Sequence, residues 1–209
     1  MISKLRYLAL AAATVFASTA WADDKPASLA YADFSSGSAT QQGGAVNGSS
    51  YSEKPGDATL GPLSAADGVL SVTGQFSSAK HSQWAGVGFS VESPDKASAD
   101  GTRNLQEFTS VKIRLASTTA KVLRLRLLST DTAVQNAGCY PSVMQNVTPT
   151  LTEYTIVLKR FAAESYCGGN GRSAAQTLPK VSAFEVVDAA QPVSERAVNF
   201  QVGSIEFLR

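Results

Sequence analysis

The chain has 209 residues, 18 Lys and Arg against 17 Asp and Glu, two cysteines and one histidine. Nothing in that balance points to nucleic acid or a generally anionic membrane surface as partner, and one histidine with two thiols leaves too few soft ligands for a zinc site.

Residues 1–22 read as a cleaved export signal: Lys4 and Arg6 come first, an apolar run covers 7–16, and Ala20-Trp21-Ala22 supplies a small-x-small cleavage site. The run is well short of the ~20 residues that cross a bilayer, and Asp23-Asp24-Lys25 follows at once. No membrane span is expected. No cysteine adjoins the cleavage site, so a lipid anchor is not expected either. Removal of residues 1–22 takes away two cations and leaves 187 residues with net charge −1, enough for one domain at 23–209 with a sizeable core. The expected location is periplasmic or secreted.

The mature chain is rich in Gly and Ser, and its apolar residues come in short runs. That composition predicts an all-β domain. A first short strand is expected at 29–34. Residues 35–67 read as loop, with room for one short strand, because Gly, Ser, Ala and Asn dominate there. Strands are then predicted at 69–73, 85–91, 110–116, 121–128, 140–146, 154–158, 181–187 and 198–207. They suit an antiparallel two-sheet jelly-roll sandwich.

Alternation assigns faces, because neighbouring residues in a strand point to opposite sides. Val111, Ile113 and Leu115 share one face, with Lys112 and Arg114 on the other. Leu123, Leu125 and Leu127 likewise oppose Arg124 and Arg126. The short link 117–120 reads as a hairpin, which would gather Lys112, Arg114, Arg124 and Arg126 into one cationic patch on a non-core surface. The bland alternative is a solvated outer face whose arginines are neutralised by partners such as Glu153 or Glu206. Cys139 and Cys167 are expected to form a structural disulfide, given an even count and an oxidising compartment.

Several stretches together resemble the galactose-binding-like jelly rolls, a group that includes carbohydrate-binding modules and complex I intermediate-associated proteins. Ala32-Asp33-Phe34 is similar to that family's opening acidic-aromatic strand, and Trp84-Ala85-Gly86-Val87-Gly88-Phe89 to its glycine-rich strand. Residues 104–113 resemble its approach to a central strand, 152–161 its hallmark strand ending in an aromatic, and 198–207 its closing strand. Leu151 stands where the family often has Trp, and Gly203-Ser204 where it often has acidic residues. The first departure removes a stacking ring; the second weakens a calcium site.

The resemblance implies a ligand on the concave sheet, with Trp84, Arg114, Arg124, Arg126, Tyr140, Glu153 and Gln201 as the binding set. Sugar binding needs aromatic faces for C–H surfaces and planar polar groups for hydroxyls. For Trp84 and Tyr140 the alternative is ordinary packing; Glu153 could simply neutralise an arginine, and Gln201 could be an ordinary exposed strand position. If the four cations border the cleft, an acidic polysaccharide suits it better than a neutral one. The expectation is a non-catalytic protein that binds extracellular or cell-envelope glycan. Its alternatives are an assembly factor that binds a protein partner, and a polysaccharide-active enzyme.

No catalytic set is expected: Ala79-Lys80-His81-Ser82 forms no nucleophile elbow, and the carboxylates cannot be paired from sequence. Gly168-Gly169-Asn170-Gly171 lacks the Lys-Ser/Thr of a phosphate loop. No cofactor is expected; structural calcium, held by Asp33 and loop carbonyls, stays open.

Overall fold

The computed structural model describes residues 27–35, 37, 39–41, 44–92 and 100–209; the expected export signal lies outside them. Among these residues twelve strands form two antiparallel sheets, so the expected jelly-roll sandwich is the fold found. The seven-stranded sheet has β10 (Thr152–Val157), β7 (Ser110–Ser117), β12 (Arg196–Leu208), β5 (Val69–Phe76) and β3 (Ala58–Leu60) in that order. Within it β1 (Ser28–Ala32) pairs with β12, and β4 (Ser64–Ala66) with β5. The five-stranded sheet runs β2 (Val46–Ser52), β6 (Gln83–Ser90), β11 (Val181–Asp188), β8 (Val122–Ser129) and β9 (Ser142–Asn146). Helices are short: α1 (Thr132–Ala137), α2 (Ala174–Thr177) and a few 3-10 turns.

The core is built as alternation predicts. Val111, Ile113 and Leu115 from one sheet and Leu123, Leu125 and Leu127 from the other are all fully buried, because each strand turns its apolar side toward the opposite sheet. Phe184 and Phe207 meet edge-on across this core, 6.0 Å between ring centres, an arrangement the ring quadrupoles favour.

The expected hairpin is corrected. β7 and β8 belong to different sheets, and the link between them crosses the edge of the sandwich. Hydroxyl groups hold that crossover onto β12: Ser117 Oγ donates to the Asn199 carbonyl at 2.9 Å, and the Asn199 N–H donates to Thr119 Oγ1 at 2.9 Å. The two leucine- and valine-rich faces therefore meet through the core instead of lying side by side. Residues 46–52, inside the expected loop, form strand β2 against β6, where backbone pairing outweighs the poor strand propensity of Gly and Ser.

Candidate functional site

The outer face of the five-stranded sheet carries an open groove of about 850 Å³. Register places its side chains. Tyr51 lies opposite Trp84, Glu185 opposite both Gly88 and Arg126, and Val187 opposite Gly86 and Arg124. Two glycines keep the middle of β6 low. A methyl group at Gly86 would stand 2.6 Å from the Val186 carbonyl oxygen, so this position has no room for a side chain.

At the centre, Arg126 is only 7% exposed although it points away from the core. Its Nε donates to Glu185 Oε2 at 2.5 Å, and its guanidinium lies 5.1 Å from the Trp84 ring centre and 5.5 Å from that of Tyr140. Both distances are within cation–π reach. Tyr51 stacks beside Trp84, 6.2 Å between centres and 22° between planes. The result is a row of aromatic surface fixed by one buried ion pair. Burial pushes the Tyr140 hydroxyl above its ordinary pKa, against the pull of Arg126, so the phenol stays a neutral donor and acceptor near pH 7.

Arg124 is also buried and donates to Glu164 at 2.9 Å. Among the described residues its Nε–H has no acceptor, which is uncommon for a buried donor. One wall of the groove is α1 with residues 138–140, and beside it stand Glu164 and Tyr166. Cys139 and Cys167 are bonded, with Cα atoms 5.6 Å apart, so the expected disulfide is present and joins these wall segments. Arg172 adds a second tie to Asp131 at 3.1 Å, and Asp131 also caps α1 through the Ala133 and Val134 N–H groups. At the end of β11 Asp188, fully buried, takes both guanidinium NH groups of Arg196 at 2.5 and 2.6 Å.

Of the seven expected binding residues, Trp84, Arg124, Arg126 and Tyr140 come together here. Arg114, Glu153 and Gln201 do not. They belong to the seven-stranded sheet, where Glu153 sits opposite Arg114 and Gln201 opposite Ala116 and Ser71. The four-cation patch is thereby corrected: Lys112 and Arg114 are on one sheet, Arg124 and Arg126 on the other, because the intervening crossover separates them. Lys112 instead pairs with Glu206 at 2.7 Å. The Arg114 side chain occupies the space over Gly203, where an added methyl would meet its Cβ at 2.8 Å.

Sequence reasoning did not assign Tyr51, Glu164, Tyr166 or Glu185 to the site. Glu185 carried a signal, since a carboxylate between Phe184 and Val186 needs a partner if buried. Tyr51 lay in a segment too Gly- and Ser-rich to read as a strand.

Asp33 Oδ1 accepts the Ser35 N–H at 3.0 Å and its hydroxyl at 2.9 Å, and these bonds hold its carboxyl below the usual carboxylate range. Among the described residues no group of three or more His, Cys, Asp or Glu could hold a metal ion, and no helix is long and apolar enough to cross a membrane.

No family model matches the sequence, and no curated protein does. Solved structures do. A family 11 carbohydrate-binding module of the cellulosomal cellulase Lic26A-Cel5E of Clostridium thermocellum is similar at 11% identity over 87% of this chain and 94% of that chain, TM-score 0.52. A family 30 carbohydrate-binding module of a cellulosomal cellulase from the same organism covers 78% of this chain and 91% of that chain at 11% identity, TM-score 0.48. The family 11 module has also been solved with a β-1,3-1,4-mixed-linked tetrasaccharide, and that structure is 12% identical over 78% of this chain and 88% of that chain, TM-score 0.47. The first of these likenesses shows that this chain shares the jelly-roll fold of a carbohydrate-binding module.

Proposed function

We propose that the protein is a single exported domain that binds a glycan chain in the groove on its five-stranded sheet and does not act on it chemically. The observation that carries this reading is the aromatic row of Tyr51, Trp84 and Tyr140, clamped by Arg126. Sugar rings present apolar C–H faces and hydroxyl edges; flat rings cover the first and fixed polar groups meet the second. The groove's volume lies within the range of small-ligand sites. The shared fold with a carbohydrate-binding module agrees with this, although a fold by itself specifies no ligand.

Both groove carboxylates, Glu164 and Glu185, accept hydrogen bonds from arginines. Such ion pairs serve as scaffold and differ from the acid and base that glycoside hydrolysis requires. The preference for acidic glycans rests on Arg124 and its uncommitted Nε–H, no longer on four clustered cations. A disulfide is consistent with a periplasmic or secreted location, and mass spectrometry of the exported protein should give an N-terminus at Asp23.

Titration calorimetry of the wild type and Trp84→Ala against neutral and acidic oligosaccharides tests the reading. The variant should bind at least about fivefold more weakly, since one stacked ring contributes on the order of 1 to 3 kcal/mol. Failure of the folded wild type to bind any glycan would refute it.

A further inference from the structure

A second hollow of about 520 Å³ opens on the same face of the five-stranded sheet, and Arg124, Ala189 and Gln191 line both it and the groove. Register sets its floor: Val122 lies opposite Asn146, and Arg124 opposite Met144. These four residues share one face at the corner of β8 and β9, with facing Cβ atoms about 5 Å apart. Val122 and Met144 are 38% and 41% exposed, which makes them an apolar seat beside the charged and amide side chains of the hollow.

Charge distinguishes the two hollows. In the groove, Arg124 and Arg126 are matched by Glu164 and Glu185. The second hollow is lined by Lys121, Arg124 and Arg196 against one carboxylate, Asp188, which Arg196 already takes with two hydrogen bonds. Lys121 is exposed, and no salt bridge within 4.0 Å engages it among the described residues. Among the described residues Arg124 donates to Glu164 alone, and its buried Nε–H has no partner. A guanidinium held in the protein with donors to spare is matched by an incoming planar anion, because its fork fits a carboxylate.

We propose that the second hollow is a carboxylate subsite for the glycan, so that the bound chain carries a uronic acid residue. The uronate ring rests on Val122 and Met144, its carboxylate accepts hydrogen bonds from Arg124 and Lys121, and Asn146 meets a ring hydroxyl. This rests on the reading that the groove holds a glycan.

The test is titration calorimetry of the mature protein with oligomers of galacturonate, alginate and glucuronoxylan, each beside its carboxyl-reduced, uncharged counterpart. At least one acidic oligomer should bind about tenfold more tightly than its reduced form, as expected of one charge-assisted contact. Lys121→Glu should abolish that preference, whereas Trp84→Ala should weaken the binding of both forms and leave the preference in place. Lys121 is exposed, so the variant should keep the wild-type Tm. Equal affinity within every pair, or a preference that survives Lys121→Glu, overturns the carboxylate subsite while the glycan reading stands. No binding to any oligomer overturns both.

Discussion

Replacing Glu185 by Leu removes the acceptor of Arg126 and leaves the guanidinium stranded between Trp84 and Tyr140. The two side chains are 9% and 5% exposed, so little water reaches the uncompensated charge. Breaking a buried pair by removing one partner costs about 3 to 5 kcal/mol. For a domain of this size each kcal/mol moves Tm by about 2 to 4 °C, so the variant should melt at least about 6 °C lower. Glu185→Gln keeps one acceptor oxygen and should cost less, about 1.5 to 3 kcal/mol, the contribution of a hydrogen bond to a charged group. The double variant Arg126→Met, Glu185→Leu should recover most of the loss, because a well-packed apolar pair replaces a buried ion pair with little penalty. Scanning calorimetry with chemical unfolding of the wild type, Arg126→Met, Glu185→Leu and the double variant closes the double-mutant cycle. A Glu185→Leu variant destabilised by less than about 1 kcal/mol, or a double variant no better than the single, would refute the idea that this pair is buried and mutually dependent.

Reduction of the disulfide, or Cys139→Ser with Cys167→Ser, should cost about 3 to 4 kcal/mol on a chain-entropy estimate for the 28-residue separation; urea unfolding with and without reductant measures it. Glycan affinity should fall as well, since the bond joins segments that carry Tyr140 and Tyr166. Gly86→Ala should destabilise the five-stranded sheet because its methyl meets backbone at 2.6 Å, and an unchanged unfolding midpoint would contradict that packing. For pH, the Lys112 hydrogen bond holds the Glu206 carboxyl below its ordinary 4.5, and the same bond raises the Lys112 ammonium above 10.5. The Glu206 contribution is therefore complete above about pH 4.5 and lost as pH falls through the folded value, while that of Lys112 is complete below about 10.5 and lost as pH rises through its folded value. Lys112→Met should flatten both flanks of the stability profile in urea unfolding; unchanged flanks would count against the pair.

Much of the fold was legible along the chain because the side-chain period of a strand is local. The leucines of β8 and the apolar residues of β7 could be assigned to the core from spacing alone. Which sheet each strand joins is not local. The link at 117–120 is short enough for a hairpin, but β7 and β8 pair with strands of different sheets, and hydrogen bonds to Asn199 hold the link as a crossover. The site followed the same division. Trp84, Arg124, Arg126 and Tyr140 lie together in the groove, but Arg114, Glu153 and Gln201, which the resemblance placed on one concave sheet with them, belong to the other sheet. Tyr51 was hidden in a segment whose strand character comes from pairing with β6.

Strand period and composition specify the sandwich and the outward direction of Arg124 and Arg126, and an even cysteine count in an exported chain points to the Cys139–Cys167 bond. Tertiary structure decided that those arginines are buried, that each has its own glutamate, and that Trp84 and Tyr140 close over one of them. The physical reason is that a charge can be buried only where partners from other strands surround it, and Glu164 and Glu185 reach these arginines from 40 and 59 residues away.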